Sequence, residues 1–242
     1  MKTSNSENDL GYFAIHPAPM FEAMCKVNPA AEFNHTTTHY GQLLYSLARV
    51  LGAHQILEIG LAQGFTSGFL AWAIKENNTR YQMNGKYYGI DIADKSYIQE
   101  AHDEAGLPTE IIQHPPGSVD FLEHPELWPK EWQKESFDLI FIDGWHHVPY
   151  VKKEIKLVYP LLKGNGNGYL VNHDIYSWCE TLWPSIRDRQ APDIKGVMRP
   201  AFENLRLLPN YGLCISRKME GYDYDKVFWP DGDQKEEVGF VT

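Results

Sequence analysis

Positive charge is what this chain has least of. Lys and Arg number 22 against 32 Asp and Glu, a formal net charge of −10 over 242 residues. With no basic stripe to neutralise phosphates, neither nucleic acid nor an anionic membrane surface is an expected partner. Cysteine is scarce too. Cys25, Cys179 and Cys214 lie far apart, form no Cys-x-x-Cys pair and are odd in number. That pattern fits a reduced, cytoplasmic protein rather than a disulfide scaffold. No apolar run approaches the roughly 20 residues that span a bilayer. The opening MKTSNSENDLGY lacks the apolar core of a signal peptide. Internal repeats and low-complexity tracts are absent.

Apolar residues make up 43% of the chain and aromatics 13%, with seven Trp and fourteen Tyr. That is enough for one sizeable core, and the length suits one domain with extensions. The reading is a single domain over 1–242, with an N-terminal lid over 1–35, a core over 36–218 and a tail over 219–242.

THYGQLLYSLARVLGAHQ spaces Leu43, Leu44, Leu47, Val50 and Leu51 as an amphipathic helix, with Gly52 as its stop. A strand follows at Gln55–Ile59. The next helix spans about Thr66–Glu76, with Thr66 or Ser67 capping its start, and the polar ENNTRYQMNG reads as a connector. KYYGIDI, TEIIQH, SFDLIFIDG and GYLVNHD read as further strands, separated by the helices SYIQEAHDEAG, GSVDFLEH and VPYVKKEIKLVYPLL. FENLRLLPNYGLCISRK reads as two strands joined by a turn. Strands that alternate with helices and are apolar on both faces form a parallel sheet covered on both sides. The fold expected is α/β, Rossmann-like and doubly wound, with a mostly parallel seven-stranded sheet and an antiparallel C-terminal hairpin at one edge. Ligands of such sheets sit beyond the carboxyl ends of the strands. The residues there are Glu58–Gly64, Asp91, His114–Ser118, Asp143–His147 and Asn172–Asp174.

ILEIGLAQGFTSGFL holds the first of these tips. Gly60 permits a tight turn and Gly64 a close approach of backbone to a ligand. The spacing is Gly-x-x-x-Gly, and Ala62 fills the slot where a dinucleotide turn has its second glycine. Glu58 would repel a diphosphate. It favours a ligand with a cationic end, such as an α-amino group or a sulfonium. Asp91, closing YYGID, sits where an acid can accept from two ribose hydroxyls. The plainer reading is a glycine turn that only connects strand to helix, beside a solvated acid.

The fourth and fifth tips carry Asp143, His146, His147, His173 and Asp174. Two carboxylates on neighbouring tips, with histidines beside them, can hold a hard divalent cation such as Mg²⁺. A cation there would lower the pKa of a substrate hydroxyl, and an imidazole is matched to take the proton. The plainer reading makes Asp143 a helix cap and the histidines rim residues bonded to backbone.

The stretches GQLLYSLARVLGAHQILEIGLAQGFTS, YYGIDI, PPGSVDFL, FDLIFIDGWHH and LLKGNGNGYLVNHD run in this order from Gly41 to Asp174. Together they resemble the class I S-adenosylmethionine-dependent methyltransferases, and within them the catechol O-methyltransferase-like and macrocin O-methyltransferase-like groups. The resemblance implies S-adenosylmethionine as cofactor, held by Glu58, Gly60, Gly64, Thr66, Ser67, Asp91, Gly117, Ser118 and Asp143. Within that set, Asp91 would take the ribose and Gly117 with Ser118 the adenine edge. It implies Asp143 and His146 as catalytic residues. His146 stands where catechol-type relatives have a Lys base and macrocin-type relatives favour His. It also implies a metal, Mg²⁺, at Asp143 and Asp174, with His173 as a further ligand or a neighbour of one. The acceptor would be a small hydroxylated molecule.

Substrate choice should rest on segments outside the core. Tyr176–Pro200 is too long for a simple connector, and its Trp178 and Trp183 either flank a flat substrate or pack on the sheet. Trp128 and Trp132 lie in another aromatic stretch near the strand ends. The N-terminal HPAPMFEAM would close over the cofactor, and His35–Tyr40 would lie against its methionine end. The acidic tail either packs across a contact in a homo-oligomer or stays mobile. Three rivals stand beside this reading: a nicotinamide-dependent oxidoreductase, a non-catalytic protein that binds a nucleoside or a partner through the same fold, and an enzyme that keeps the fold and the metal but runs a different chemistry.

Overall fold

The computed structural model describes residues 35–145, 147–173, 190–192, 198–200, 202–207 and 213–218. The expected N-terminal lid, the C-terminal tail, His146, Asp174, Trp178 and Trp183 lie outside the described residues.

Five of the apolar runs become parallel strands: β1 (Gln55–Ile59), β2 (Lys86–Asp91), β3 (Thr109–Gln113), β4 (Leu139–Ile142) and β5 (Tyr169–His173). The helices are α1 (His35–Leu51), α2 (Phe65–Tyr81), α3 (Ser96–Glu104), α4 (Ser118–Glu123) and α5 (Val148–Val158). Two short strands, β6 (Gln190–Pro192) and β7 (Met198–Pro200), pair with each other away from the main sheet. They fall inside the segment read from sequence as irregular. The last two strands, β8 (Phe202–Leu207) and β9 (Leu213–Lys218), form the expected antiparallel hairpin. The main sheet has seven strands in the order β3-β2-β1-β4-β5-β9-β8. Its edge β8 is antiparallel to β9, and β9 to β5.

The strands at the centre are apolar on both faces because both faces are covered. Ile56, Phe141 and Val171 pack with Leu44 and Ala48 of α1, Leu70 and Ile74 of α2 and Ala101 of α3. Leu57, Ile140, Ile142 and Leu170 pack on the other side with Phe121 of α4 and with Val151 and Ile155 of α5. Trp132 belongs to this second core, with its ring edge-on to Tyr88, Phe121 and Phe137 at centroid distances of 5.3, 5.7 and 5.0 Å. The Trp128 indole donates to the Phe121 carbonyl at 3.0 Å. The aromatic stretch near the strand ends therefore fills the core.

Two local expectations change. Helix α2 runs through Asn77 to Tyr81, past the predicted stop at Glu76. Asn77 is a weak helix former but is fully buried. Its amide donates to the Ala48 and Ala53 carbonyls at 3.1 and 2.9 Å, tying α2 to the end of α1. Tertiary hydrogen bonds thus override local preference. The start of α2 is also different. Its N-cap is Gly64, and no side chain caps it. Thr66 and Ser67 lie inside the helix and are buried, so neither can bend back over the first turn. No helix among the described residues is long and apolar enough to cross a membrane.

Candidate active site

The strand order turns back between β1 and β4, where the crossovers leave in opposite directions. A crevice opens there beyond the carboxyl ends. Glu58 stands near the tip of β1, and its side chain is only 1% exposed. The Tyr87 hydroxyl donates to Glu58 Oε2 at 2.6 Å. Gly89 makes this possible. It pairs with Glu58 across the strands, and a Cβ there would sit 3.0 Å from the Tyr87 oxygen. Burial pushes the Glu58 carboxyl well above the usual carboxylate range. The Tyr87 hydrogen bond pulls it partly back, and the neighbouring Asp143 and Asp91 raise it further.

The turn after Glu58 is built on two glycines in the left-handed region. Gly60 and Gly64 both have φ of 85°. At Gly60 the close approach is to protein: a Cβ would run into the Asp143 carbonyl oxygen and the Gly144 Cα. The turn of β1 is thus packed directly on the tip of β4, and Asp143 N donates to the Ile59 carbonyl at 2.8 Å. Gly64 closes the turn by donating to the Leu61 carbonyl at 2.7 Å and then opens α2.

Asp91 at the tip of β2 is bound to the same turn. Its Oδ2 accepts from Leu61 N at 2.9 Å and its Oδ1 from Ala93 N at 2.8 Å. Lys95 stands 3.9 Å from Oδ2 and donates to the Ala62 carbonyl at 2.6 Å. Asp91 therefore fixes the glycine turn.

At the tips of β4 and β5, Asp143 Oδ1 and His173 Nδ1 are hydrogen-bonded at 2.8 Å. Their side chains are 21% and 14% exposed, so both remain reachable. The Tyr40 ring meets the His173 ring edge-on at 4.8 Å. Among the described residues no three His, Cys, Asp or Glu side chains gather into a metal-holding group. The pair Asp143–His173 is two donors of the predicted set; Asp174 and His146 are outside the described residues.

On the opposite face, Gly117 is the N-cap of α4 with φ of 106°. Ser118 is 6% exposed. Its hydroxyl is hydrogen-bonded to Glu154 of α5 and lies 3.3 Å from the Tyr150 hydroxyl. Two large apolar side chains stand out into solvent nearby, Ile92 at 62% and Trp145 at 55% exposed. The Trp145 ring stacks on His147 at 5.0 Å and leans on Tyr150 at 5.2 Å. Sequence reasoning did not single out Ile92, Trp145, Tyr150, Glu154 or Tyr87. Ile92 and Trp145 had a signal, since each directly follows a strand-tip acid or its glycine. Tyr87 had a weaker one, the small Gly89 two residues on.

Residues 57–175 match the family described as the methyltransferase domain. That stretch is similar to a methyltransferase domain and makes up just under half of the chain. A Zea mays protein, caffeoyl-CoA O-methyltransferase 2, is 29% identical over 156 residues, which cover 61% of this chain and 50% of that protein. The chain thus spans about half the length of the curated relative it matches. Among solved structures, a Podospora anserina methyltransferase with SAH bound superposes with a TM-score of 0.58 at 15% identity, covering 84% of this chain and 88% of that one. A Bacillus cereus O-methyltransferase in complex with SAH gives 0.57 at 18% identity, covering 83% and 90%. These structural likenesses establish the fold. The matched stretch of the methyltransferase domain contains the glycine turn, Asp91, Gly117, Ser118, Asp143 and His173.

Proposed function

We propose that the protein is an S-adenosylmethionine-dependent O-methyltransferase acting on a small hydroxylated molecule. The observation that carries this reading is the glycine turn tied to two acids at the sheet's turning point: Glu58 buried beneath it and Asp91 hydrogen-bonded to it at Leu61. The bound cofactor would supply an electrophilic methyl group on a positively charged sulfur.

Each residue then has a role. Glu58, held by Tyr87, would give up its proton to a cationic ligand end brought under the turn, and so favours such a ligand. Asp91 keeps lone pairs toward the crevice for ribose hydroxyls, since each carboxylate oxygen can accept more than one hydrogen bond. Ile92 and Trp145 offer apolar walls to a flat base. Gly117 and Ser118 stand at its edge. Thr66 and Ser67 serve the site indirectly, by seating the first turn of α2 against the sheet.

Asp143 and His173 fit part of a metal site, being 2.8 Å apart at partly open strand tips. With Asp174 they would hold a divalent cation, which would acidify the acceptor hydroxyl. Carboxylates suit Mg²⁺ and imidazole suits Zn²⁺ or Fe²⁺, so the mixed set leaves the metal to be tested. His146, three residues past Asp143, is the proposed proton acceptor.

Titration calorimetry with S-adenosylmethionine, SAH and NAD tests the cofactor. Uptake of NAD with no response to the other two would refute this reading and favour the oxidoreductase. Tritiated methyl transfer to a panel of phenols and sugars tests the reaction. Chelation by EDTA should abolish transfer, with Mg²⁺ restoring it; full activity in chelator would remove the metal.

A further inference from the structure

Between the two glycines of the turn stands a residue in a conformation it disfavours. Ala62 has φ of 44°, left-handed backbone that strains a residue with a side chain and that tight turns ordinarily give to glycine. Leu61 beside it is buried, and its side chain lies against Gly89, whereas Ala62 and Gln63 are exposed. Burial of Ala62 therefore does not offset the strain. Something else has to hold it.

Hydrogen bonds anchor the peptide planes on both sides of it. The Leu61 carbonyl, in the plane before Ala62, accepts from Gly64 N at 2.7 Å. The Ala62 carbonyl, in the plane after, accepts from Lys95 Nζ at 2.6 Å and from the Tyr97 hydroxyl at 3.1 Å. The two dihedrals of a residue are the rotations that relate its flanking planes, so anchoring both planes fixes them. Lys95 and Tyr97 come from the start of α3, where Asp94 Oδ1 accepts from Ser96 N at 2.9 Å. Only 15% of the Lys95 side chain is exposed, which shields its bond from competing water.

We propose that Lys95 and Tyr97 are positioning residues: together they clamp the Ala62 carbonyl and keep the turn in the shape that receives the cofactor's methionine end. They do for Ala62 what glycine does unaided at Gly60 and Gly64. The inference rests on the cofactor reading above.

The test is a double-mutant cycle on the full chain. It is read by calorimetry with SAH and by amide exchange of Gly64 N–H in the free protein. Lys95→Met with Tyr97→Phe removes the clamp. Affinity for SAH should fall about tenfold, as expected when a strained residue is released, and Gly64 exchange should quicken by a similar factor as the turn opens. Ala62→Gly removes the strain itself. In that background the same pair of substitutions should cost about threefold or less in both readouts. If Lys95 and Tyr97 were two ordinary hydrogen bonds, or a positive charge beside Asp91, the loss would be equal in both backgrounds, and that result overturns the proposal. Unchanged affinity and exchange in Lys95→Met/Tyr97→Phe overturn it too. A wild type that ignores SAH refutes the cofactor reading, while Gly64 exchange, which needs no ligand, still decides whether the clamp holds the turn.

Discussion

Replacing Glu58 with Gln should stabilise the protein at neutral pH while weakening the cofactor site. The Glu58 carboxyl is buried beneath the turn, and its Oε2 takes one hydrogen bond, from Tyr87 at 2.6 Å. Burial, and then Asp143 and Asp91, hold its pKa well above the carboxylate range. The unfolded chain titrates the same group near 4.3. Between these two values the folded state keeps a proton that the unfolded state releases. Stability from this group is therefore full below the unfolded pKa. It falls by about 1.4 kcal/mol per pH unit as pH rises through the window, and levels off above the folded pKa. Glutamine has no such titration, and its carbonyl can still accept from Tyr87. Urea unfolding of both proteins from pH 4 to 8 reads the outcome directly. The advantage of Glu58→Gln should grow with pH from about 4.3 upward. Its affinity for S-adenosylmethionine should drop by about tenfold or more, because glutamine cannot give up a proton to a cationic ligand end as Glu58 would on binding. Stability curves that stay parallel across the whole range would show that Glu58 is not held under strain by its burial.

Gly60→Ala should cost about 2–4 kcal/mol, from the left-handed backbone and the collision with Asp143 and Gly144; denaturant midpoints measure it, and a neutral substitution would mean that the two strand tips are not packed together. His146→Ala should cut methyl transfer while SAH affinity stays nearly intact, and an unchanged rate would remove it as the proton acceptor. Trp145→Ala should weaken SAH binding about three- to tenfold, as expected for one lost aromatic contact, with equal affinity refuting its place beside the base.

The fold was legible because its signals are local and repeated. Apolar runs such as LIFI, buried at all four positions of β4, demand cover on both faces. The five parallel strands and the C-terminal hairpin follow from that pattern. The extent of α2 was not legible. Asn77 looks like a loop residue until the carbonyls it bonds, Ala48 in α1 and Ala53 just after it, are known. The site was legible as a set of strand tips, because topology brings those tips together whatever their side chains. Its inner connections were not. Nothing in KYYGID announces that Tyr87 reaches over Gly89 to Glu58, and nothing in GSVDF or VKKEIKL announces that Ser118 and Glu154 meet. The role given to Gly60 was right in conformation but incomplete in partner, since its missing side chain makes room for β4.

From sequence the glycine turn reads as a place for positive charge only; the structure makes it two-sided. The opening turn of α2 presents the positive end of a 17-residue helix with no capping side chain, which attracts an anionic group. Directly below, Asp143 supplies negative potential, and the buried Glu58 can add to it by giving up the proton that its burial holds. A diphosphate would satisfy the first feature and be repelled by the second. A simple amine would do the reverse. An α-amino acid end carries both charges about one bond apart on each side of a single carbon, and so satisfies both at once. The burial of Glu58 sharpens this choice: an acid under bare backbone gives up its proton only when a cationic group stabilises the carboxylate, and then acts through protein, where the effective dielectric is lower. On the proposed reading the turn would select for a zwitterion, a stricter requirement than the cation alone, and it is the requirement that an amino-acid-bearing adenosine derivative meets.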